Sequence, residues 1–348
     1  MREPPHYLFA RPALATQYRF LEYSPVIAAP DHQVLMTPIR RLLLSVLGLL
    51  AAVELAWQRL GHFNVDVRLY SGIMLLVLGF MTGAFFYDRV RRDPCVSSLL
   101  FGLGFLFATA ASLNVINYFG LTIAGPRIDD LLAASDRAMG ISWPAMMAFA
   151  AEHPRFNLVL LIVYQLSVWQ VTLLIVLLGW KDREGTIERL CLALITAGLI
   201  SVGVWILYPS FGAITVYGLP ASIADRLPLS LNLDYARALL QLKAHGPGLI
   251  SPTTVKGLVG FPSFHTAQAI ITAWYARKLG MLFYPFLVFD VLVVVSTPIQ
   301  GGHHIVDVIG GIAVAAITIC LASAISRHLI QLKSKDETPP ALTAQRPC

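Results

Sequence analysis

Charged residues are scarce in this chain. Lys, Arg, Asp and Glu together fill 13% of 348 positions, while 56% are hydrophobic. With a mean hydropathy of +0.67, the composition excludes an ordinary soluble domain of this length and predicts an integral membrane protein. Cysteine is also sparse. Cys95, Cys191, Cys320 and Cys348 show no C-x-x-C and no zinc-like spacing, which argues against a disulfide framework or a structural metal. The first forty residues lack the basic start, apolar stretch and small-residue cleavage site of a secretory signal. The first spanning helix is therefore expected to act as the targeting signal. A basic stripe is missing as well. The net charge is +6 and the pI about 9.2, but the cations are scattered at the ends of apolar segments, which suits membrane topology and not nucleic acid.

The chain does have apolar windows long enough to cross a bilayer, near 41–60, 67–87, 96–119, 156–180, 188–208, 262–279, 281–299 and 303–325. They predict an all-α polytopic bundle of about eight spans, the first interrupted by Glu54. Arg40 and Arg41, Arg89, Arg91 and Arg92, Lys181 and Arg183, Arg277 and Lys278, and Arg327, Lys333 and Lys335 then share one side. By the positive-inside rule that side is cytoplasmic, and so are both termini.

Segments 120–155 and 209–261 fall on the opposite, outward side. The first mixes charged and apolar positions as one or two interfacial helices would. The second, with a short helix expected at 232–244, is too long for a simple connector. It reads either as a lid over a site or as a packing elaboration. Residues 331–348 read as a disordered cytoplasmic tail. No internal repeat is visible.

Two segments carry chemistry. Gly260-Phe261-Pro262-Ser263-Phe264-His265-Thr266-Ala267 opens the sixth span, with Pro262 suited to a first helical turn. Free amides there, the helix dipole and the Ser263 hydroxyl suggest an anion cradle, and His265 could protonate a leaving alkoxide. Gly301-Gly302-His303-His304-Ile305-Val306-Asp307 opens the last span. A spacing of four puts His303 and Asp307 on one helical face, where the carboxylate can fix the ring's tautomer. That arrangement prepares His303 as a nucleophile toward phosphorus. His304 has the poorer spacing and is expected in packing around the site. Asp290, roughly 20 Å from His303 along a helix, is expected to pair with another intramembrane polar group. Trp57, Trp143, Trp169, Trp180 and Trp205 are expected mostly near membrane interfaces.

These two segments resemble the second and third signatures of the type 2 phosphatidic acid phosphatase superfamily, P-S-x-H and S-R-x5-H-x-x-x-D. They are closest in wording to the branch containing inositol phosphorylceramide synthase, the aureobasidin-resistance protein, where F-P-S-x-H-x-A and G-x-H-Y-x-x-D are typical. The stretch from Asp130 to Pro144 is similar to that branch too. The resemblance implies a six-helix core over 96–330, preceded by an N-terminal segment 1–95 with two added spans. It also implies phosphate transfer through a phosphohistidine at the outer membrane face, without metal or cofactor, on a lipid with a phosphate-containing headgroup. His303 would be the nucleophile, Asp307 its orienting partner and His265 the acid. A bacterial inner membrane suits such a chain.

The family's cations are absent from their expected places. Thr297, after Ser296, stands where the third signature has arginine, and Ser201 where the first has lysine. Lys256 is the leading substitute, weighed against an ordinary headgroup-facing lysine; Arg127 and Arg237 are weaker. Ser263, Lys256, Gly302 and Thr297 are the candidate phosphate-binding residues. Hydrolysis and transfer to a hydroxyl remain open. A non-catalytic lipid-binding or transport protein with a degenerate phosphate site is the contrasting reading.

Overall fold

A computed structural model describes residues 37–61, 64–180, 185–224, 226–230, 233–254 and 256–336. The described residues form helices α1 (Pro38–Gly61), α2 (Val67–Phe86), α3 (Pro94–Gly120), α4 (Asp129–Ala138), α5 (Trp143–Glu152), α6 (Pro154–Gly179), α7 (Thr186–Leu207), α8 (Ile214–Tyr217), α9 (Ala221–Ala224), α10 (Leu233–His245), α11 (Phe264–Ala276), α12 (Phe283–Gln300) and α13 (Ile305–Asp336). A single bridge, Val65 to Ile250, is the β-type pairing among them. The protein is an all-α polytopic membrane bundle.

Six helical runs among the described residues are long and apolar enough to span a membrane: Val67–Arg91, Pro94–Gly120, Pro154–Gly179, Thr186–Leu207, Phe264–Gln300 and Ile305–Leu332. The fifth is turned at Gly280, whose φ of 65° breaks it into α11 and α12. The first expected span, α1, is not among the six. Lipid-facing positions such as Leu75 and Leu78 of α2, Val168 of α6, Val288 of α12 and Ile312 of α13 stay exposed, as an apolar solvent allows and water does not.

Local chemistry starts these helices. The Asp66 carboxylate accepts the Leu69 amide, and Asp93 accepts those of Cys95 and Val96 with Pro94 behind it. Ser142 caps α5 and Pro154 opens α6. Each removes orphan donors that lipid could not satisfy. Between helices, small residues set the approach: a Cβ at Gly102 would strike the Ile187 side chain, and one at Gly198 that of Leu113, so each helix seats a side chain of the other against a glycine. The main core joins α1, α3, α6, α7, α11 and α13 through Leu43, Phe105, Leu174, Leu190, Ile271 and Ala315.

Several expectations change. Helix α13 runs to Asp336, so residues 331–336 are helical and not part of a disordered tail. Ile330 and Leu332 carry the helix on toward Asp336. Residues 337–348 of that tail, residues 1–36 of the N-terminal segment, and Lys181 and Arg183 lie outside the described residues. Trp169 and Trp180 are exposed, whereas Trp143 and Trp205 are buried. Their indole N–H groups donate to the carbonyls of Pro298 and Ser210.

Segment 209–261 contains α8, α9 and α10, the last close to the helix expected at 232–244. It is fastened at three places. Ile250 exchanges backbone bonds with the α1–α2 connection, donating to Asn64 and accepting from Asp66. Ser251 donates to the Asp66 carboxylate. Lys243 donates to the Ala124 and Gly125 carbonyls.

At the other end of the bundle Arg40 of α1 is buried. Its guanidinium donates to Glu188 at 2.5 Å, Ser97 at 2.9 Å and Ser98 at 2.8 Å, while Thr37 donates to the second Glu188 oxygen. This network ties α1, α3 and α7 together. Removing one member strands a buried charge, which costs about 3–5 kcal/mol. Arg40→Ala should therefore lower the thermal unfolding midpoint in detergent markedly. Arg40→Met combined with Glu188→Met should recover most of the loss, and a double variant no better than the single one would contradict this account.

Candidate active site

The start of α13 organises the site. Asp136 of α4 supplies its cap from outside, accepting the Ile305 amide at 3.0 Å and the Val306 amide at 3.1 Å. Asp307, fully buried, accepts His303 Nδ1 at 3.1 Å and the His304 amide at 2.9 Å, both on Oδ2. Its carbonyl takes the Ser263 amide at 3.0 Å. The two histidine segments are thereby bonded to each other. Gly310 and Gly311 permit this contact, because a Cβ there would press on the Phe261 ring and on Ser263 and Thr266.

His265 lies one residue into α11 and stacks on Tyr164 of α6, with ring centroids 4.7 Å apart and planes at 26°. It is close enough to His303 for their charges to interact. Tyr164 also reaches the loop before His303: a Cβ on Gly301 would come within 2.8 Å of the Tyr164 hydroxyl and 2.6 Å of His303 Cδ2. One tyrosine thus packs against the turn that carries one histidine and the ring of the other.

Behind His303 lies a buried ionic layer. His304 is fully buried, with Nδ1 3.4 Å from Asp136 and Nε2 3.8 Å from Asp129. Asp129 Oδ1 accepts Ser210 Oγ and the amides of Phe211 and Gly212, each at 2.9 Å. Its Oδ2 accepts Arg127 at 2.8 Å. Gly212, at φ 89°, presses against Gly302, whose carbonyl accepts the Ile214 amide at 3.4 Å. Burial disfavours charge on His304, but Asp129, Asp307 and Asp136 outweigh it and hold its pKa above the usual imidazole value. Burial likewise opposes charge on Asp129. The nearby His304 ring, the Arg127 ion pair and the Ser210 hydrogen bond overcome that and keep it below the usual carboxylate range.

The candidate phosphate ligands fare unequally. Ser263 is the α11 N-cap, accepting the Thr266 amide at 3.4 Å, so Pro262 precedes the cap instead of occupying the first turn. Its own amide is given to Asp307, which removes that donor from the expected anion cradle. Thr297 gives its only hydroxyl proton to Val293 in its own helix at 2.9 Å. Gly302, at φ 63°, shapes the loop. Lys256 carries its ammonium over the Tyr235 ring at 5.1 Å, and its amide donates to the Tyr118 hydroxyl. Arg127 is taken up by Asp129 and Thr215, and Arg237 is an exposed partner of Asp234. On the α6 side, Gln300 donates to Asn157 at 2.7 Å and accepts the Ser230 amide at 3.0 Å, fixing segment 226–230 beside the loop. Asp290 is buried in α12 with Gln170 of α6 as its polar neighbour.

Residues 130–321, more than half of the chain, match the family model of the PAP2 superfamily. The chain belongs to the PAP2 superfamily. The matched range opens in α4, so α3 lies before it although it packs on α6 and α7. Searches of the curated proteins and of the solved structures return no match. Family membership makes the chain a membrane protein of phosphatase type, with a phosphate-bearing lipid as the suggested kind of substrate.

The residues missed from sequence are Tyr164, Asp129 and Asp136. The two aspartates are seven apart, which puts them on one face of α4, and that spacing was available as a signal. Tyr164 in an apolar helix offered none.

The structure makes two outcomes measurable. Gly301→Ala should displace the His303 ring or Tyr164 and lower turnover roughly 10²-fold while leaving the unfolding midpoint nearly unchanged, as kinetics beside thermal melts will show. The ionic layer gives stability a pH profile. His304, raised in the fold, contributes fully below its unfolded value of 6.5 and loses that contribution as pH rises through its folded pKa. Asp129, lowered in the fold, contributes above 3.8 and loses that contribution as pH falls through its folded pKa. Asp129→Asn should weaken the acid limb and move the alkaline limb to lower pH; an unchanged profile of Tm against pH would refute the assignment.

Proposed function

We propose that the protein is a metal-independent lipid phosphatase or phosphotransferase working through a phosphohistidine, with His303 as nucleophile. The observation that carries this reading is the His303 Nδ1 to Asp307 Oδ2 contact. With the Nδ1 proton directed at the carboxylate, the lone pair is on Nε2. Asp307 Oδ1 is buried and has no hydrogen-bond partner. The carboxylate thus keeps charge in reserve for a ring that becomes positive during attack.

In the first step Nε2 forms a bond to phosphorus, the bond from phosphorus to the leaving oxygen breaks, and protonated His265 gives its proton to that oxygen. In the second, a hydroxyl or water loses its proton to His265 and attacks phosphorus, and the bond to Nε2 breaks. Tyr164 holds the His265 ring by stacking. Charge on the equatorial oxygens needs a cation, and Lys256 takes that role by moving off the Tyr235 ring toward the pocket. Segment 209–261 acts as the cap that selects the headgroup.

The site faces outward, periplasmic or luminal, in this reading. The basic residues at the far ends of the spans support that topology through the positive-inside rule, with cytoplasmic termini and a bacterial inner membrane as the setting. The resemblance of residues 261–267 and 301–307 to the inositol phosphorylceramide synthase branch favours transfer of an inositol-phosphoryl or other phospho-headgroup to a lipid hydroxyl over hydrolysis. A second reading, lipid binding without turnover, is favoured by one observation: Arg127 and Arg237 are engaged with Asp129 and Asp234, and the Lys256 ammonium rests on the Tyr235 ring.

The test is turnover of a phospholipid panel by protein in neutral detergent with chelator present. His303→Ala should abolish product and His265→Ala should lower it about 10²–10⁴-fold. An acid-labile phosphoprotein should accumulate when the acceptor is withheld. Free phosphate identifies hydrolysis and a new phospholipid identifies transfer. Lipid binding that is undiminished in His303→Ala, with no turnover by the wild type, would overturn the enzymatic reading.

A further inference from the structure

The proposed chemistry leaves the transferring phosphoryl group short of donors. Phosphoryl transfer spreads negative charge over the equatorial oxygens, which is stabilised by hydrogen bonds or cations placed in advance. The Thr297 hydroxyl is spent on Val293, and the Ser263 amide on Asp307. Arg127 is held by Asp129 and Thr215, and Arg237 by Asp234. The Lys256 ammonium rests on the Tyr235 ring.

Tyr164 of α6 offers a donor from a fixed position. Its ring stacks on His265 with centroids 4.7 Å apart, so the phenol is held against the acid. Its hydroxyl is 2.8 Å from the point where a Cβ on Gly301 would stand, and His303 Cδ2 is 2.6 Å from the same point. The hydroxyl and Cδ2 are therefore separated by no more than the sum of those two lengths. Cδ2 is the ring carbon bonded to Nε2, the nitrogen that the Asp307 contact leaves free for attack. A phosphoryl group fills a gap of this size, with phosphorus about 3–3.5 Å from the attacking nitrogen and a donor about 2.7–3.1 Å from the oxygen it stabilises.

The hydroxyl is also uncommitted. The Tyr164 carbonyl accepts Ser167 Oγ at 2.7 Å, but no hydrogen bond is made by the Tyr164 hydroxyl among the described residues. A phenol ordinarily holds its proton at neutral pH, so it donates without taking over the acid's task from His265. Tyr164 is half-buried in the bundle, where a hydrogen bond to a charged oxygen is stronger than in water.

We propose that Tyr164 is a catalytic residue, its hydroxyl donating a hydrogen bond to an equatorial oxygen of the phosphoryl group as that group passes to and from His303. The phenol keeps its proton throughout. Bond making and breaking stay with His303, His265 and the leaving and attacking oxygens. This role rests on the phosphohistidine reading of His303.

Tyr164→Phe keeps the stacked ring and removes the hydroxyl alone. The full chain in neutral detergent is given dioctanoyl phosphatidic acid as substrate and orthovanadate as a transition-state analogue. Tyr164→Phe should lower kcat about 10²–10³-fold and leave KM within a factor of about three, as loss of a contact made only in the transition state requires. Inhibition by vanadate should weaken alongside kcat, and the thermal midpoint should stay at the wild-type value. Tyr164→Leu, which loses the ring as well, should be impaired further through His265. Wild-type kcat in Tyr164→Phe, with impairment confined to Tyr164→Leu, would leave stacking as the whole role and overturn the proposal. The two readings fail separately: turnover that survives His303→Ala removes the nucleophile and this role with it, whereas an inactive His303→Ala beside a fully active Tyr164→Phe removes this role alone. If wild type does not turn over phosphatidic acid, protection by vanadate against thermal unfolding reads the same contact. It should appear in wild type and be lost in Tyr164→Phe, and protection that is equal in the two, or absent from both, would overturn the role.

Discussion

Asp307 is the group on which the arrangement of the site depends. One of its oxygens receives His303 and the His304 amide, and its carbonyl receives the amide that opens the other histidine helix. A buried carboxylate in a membrane protein is costly unless its surroundings are arranged for it. Those surroundings are two glycines that let α11 approach, a turn that presents His303, and an aspartate from a different helix that caps α13. Position, tautomer and helix start are thus settled by one cluster.

The second layer explains how a lipid-embedded bundle keeps that cluster rigid. Asp129 and Asp136 do not touch the His303–Asp307 pair directly, yet they flank His304 and hold the Ser210–Gly212 turn and the first amides of α13. The loop that carries His303 is pressed from one side by Gly212 and from the other by Tyr164. With both faces occupied, its geometry is set by packing and by charge together, which is the condition for preorganised chemistry.

At the opposite end the same logic appears with different partners. Arg40 and Glu188 bury a charge pair that joins the first helix to the core. The bundle therefore has two polar ends and an apolar middle, in which Asp290 is an exception.

Composition and period were enough to read an all-helical membrane protein, because apolar runs of bilayer length leave few alternatives. The four-residue spacing of His303 and Asp307 was equally legible, since it is a local property of one helix turn. The continuation of α13 through 331–336 was not, because polar residues there resembled a tail although the helix carries on through them. Tertiary structure decided the rest. Ser263 and Thr297 spend their donors within the fold, which no spacing rule reveals, and Trp143 and Trp205 became struts because α12 and the Ser210 loop offer carbonyls to their indoles. Asp129 and Asp136 meet His304 only because α4 folds across the mouth of a helix more than 160 residues away. A sequence determines which residues share a turn; which turns share a charge depends on how the helices pack.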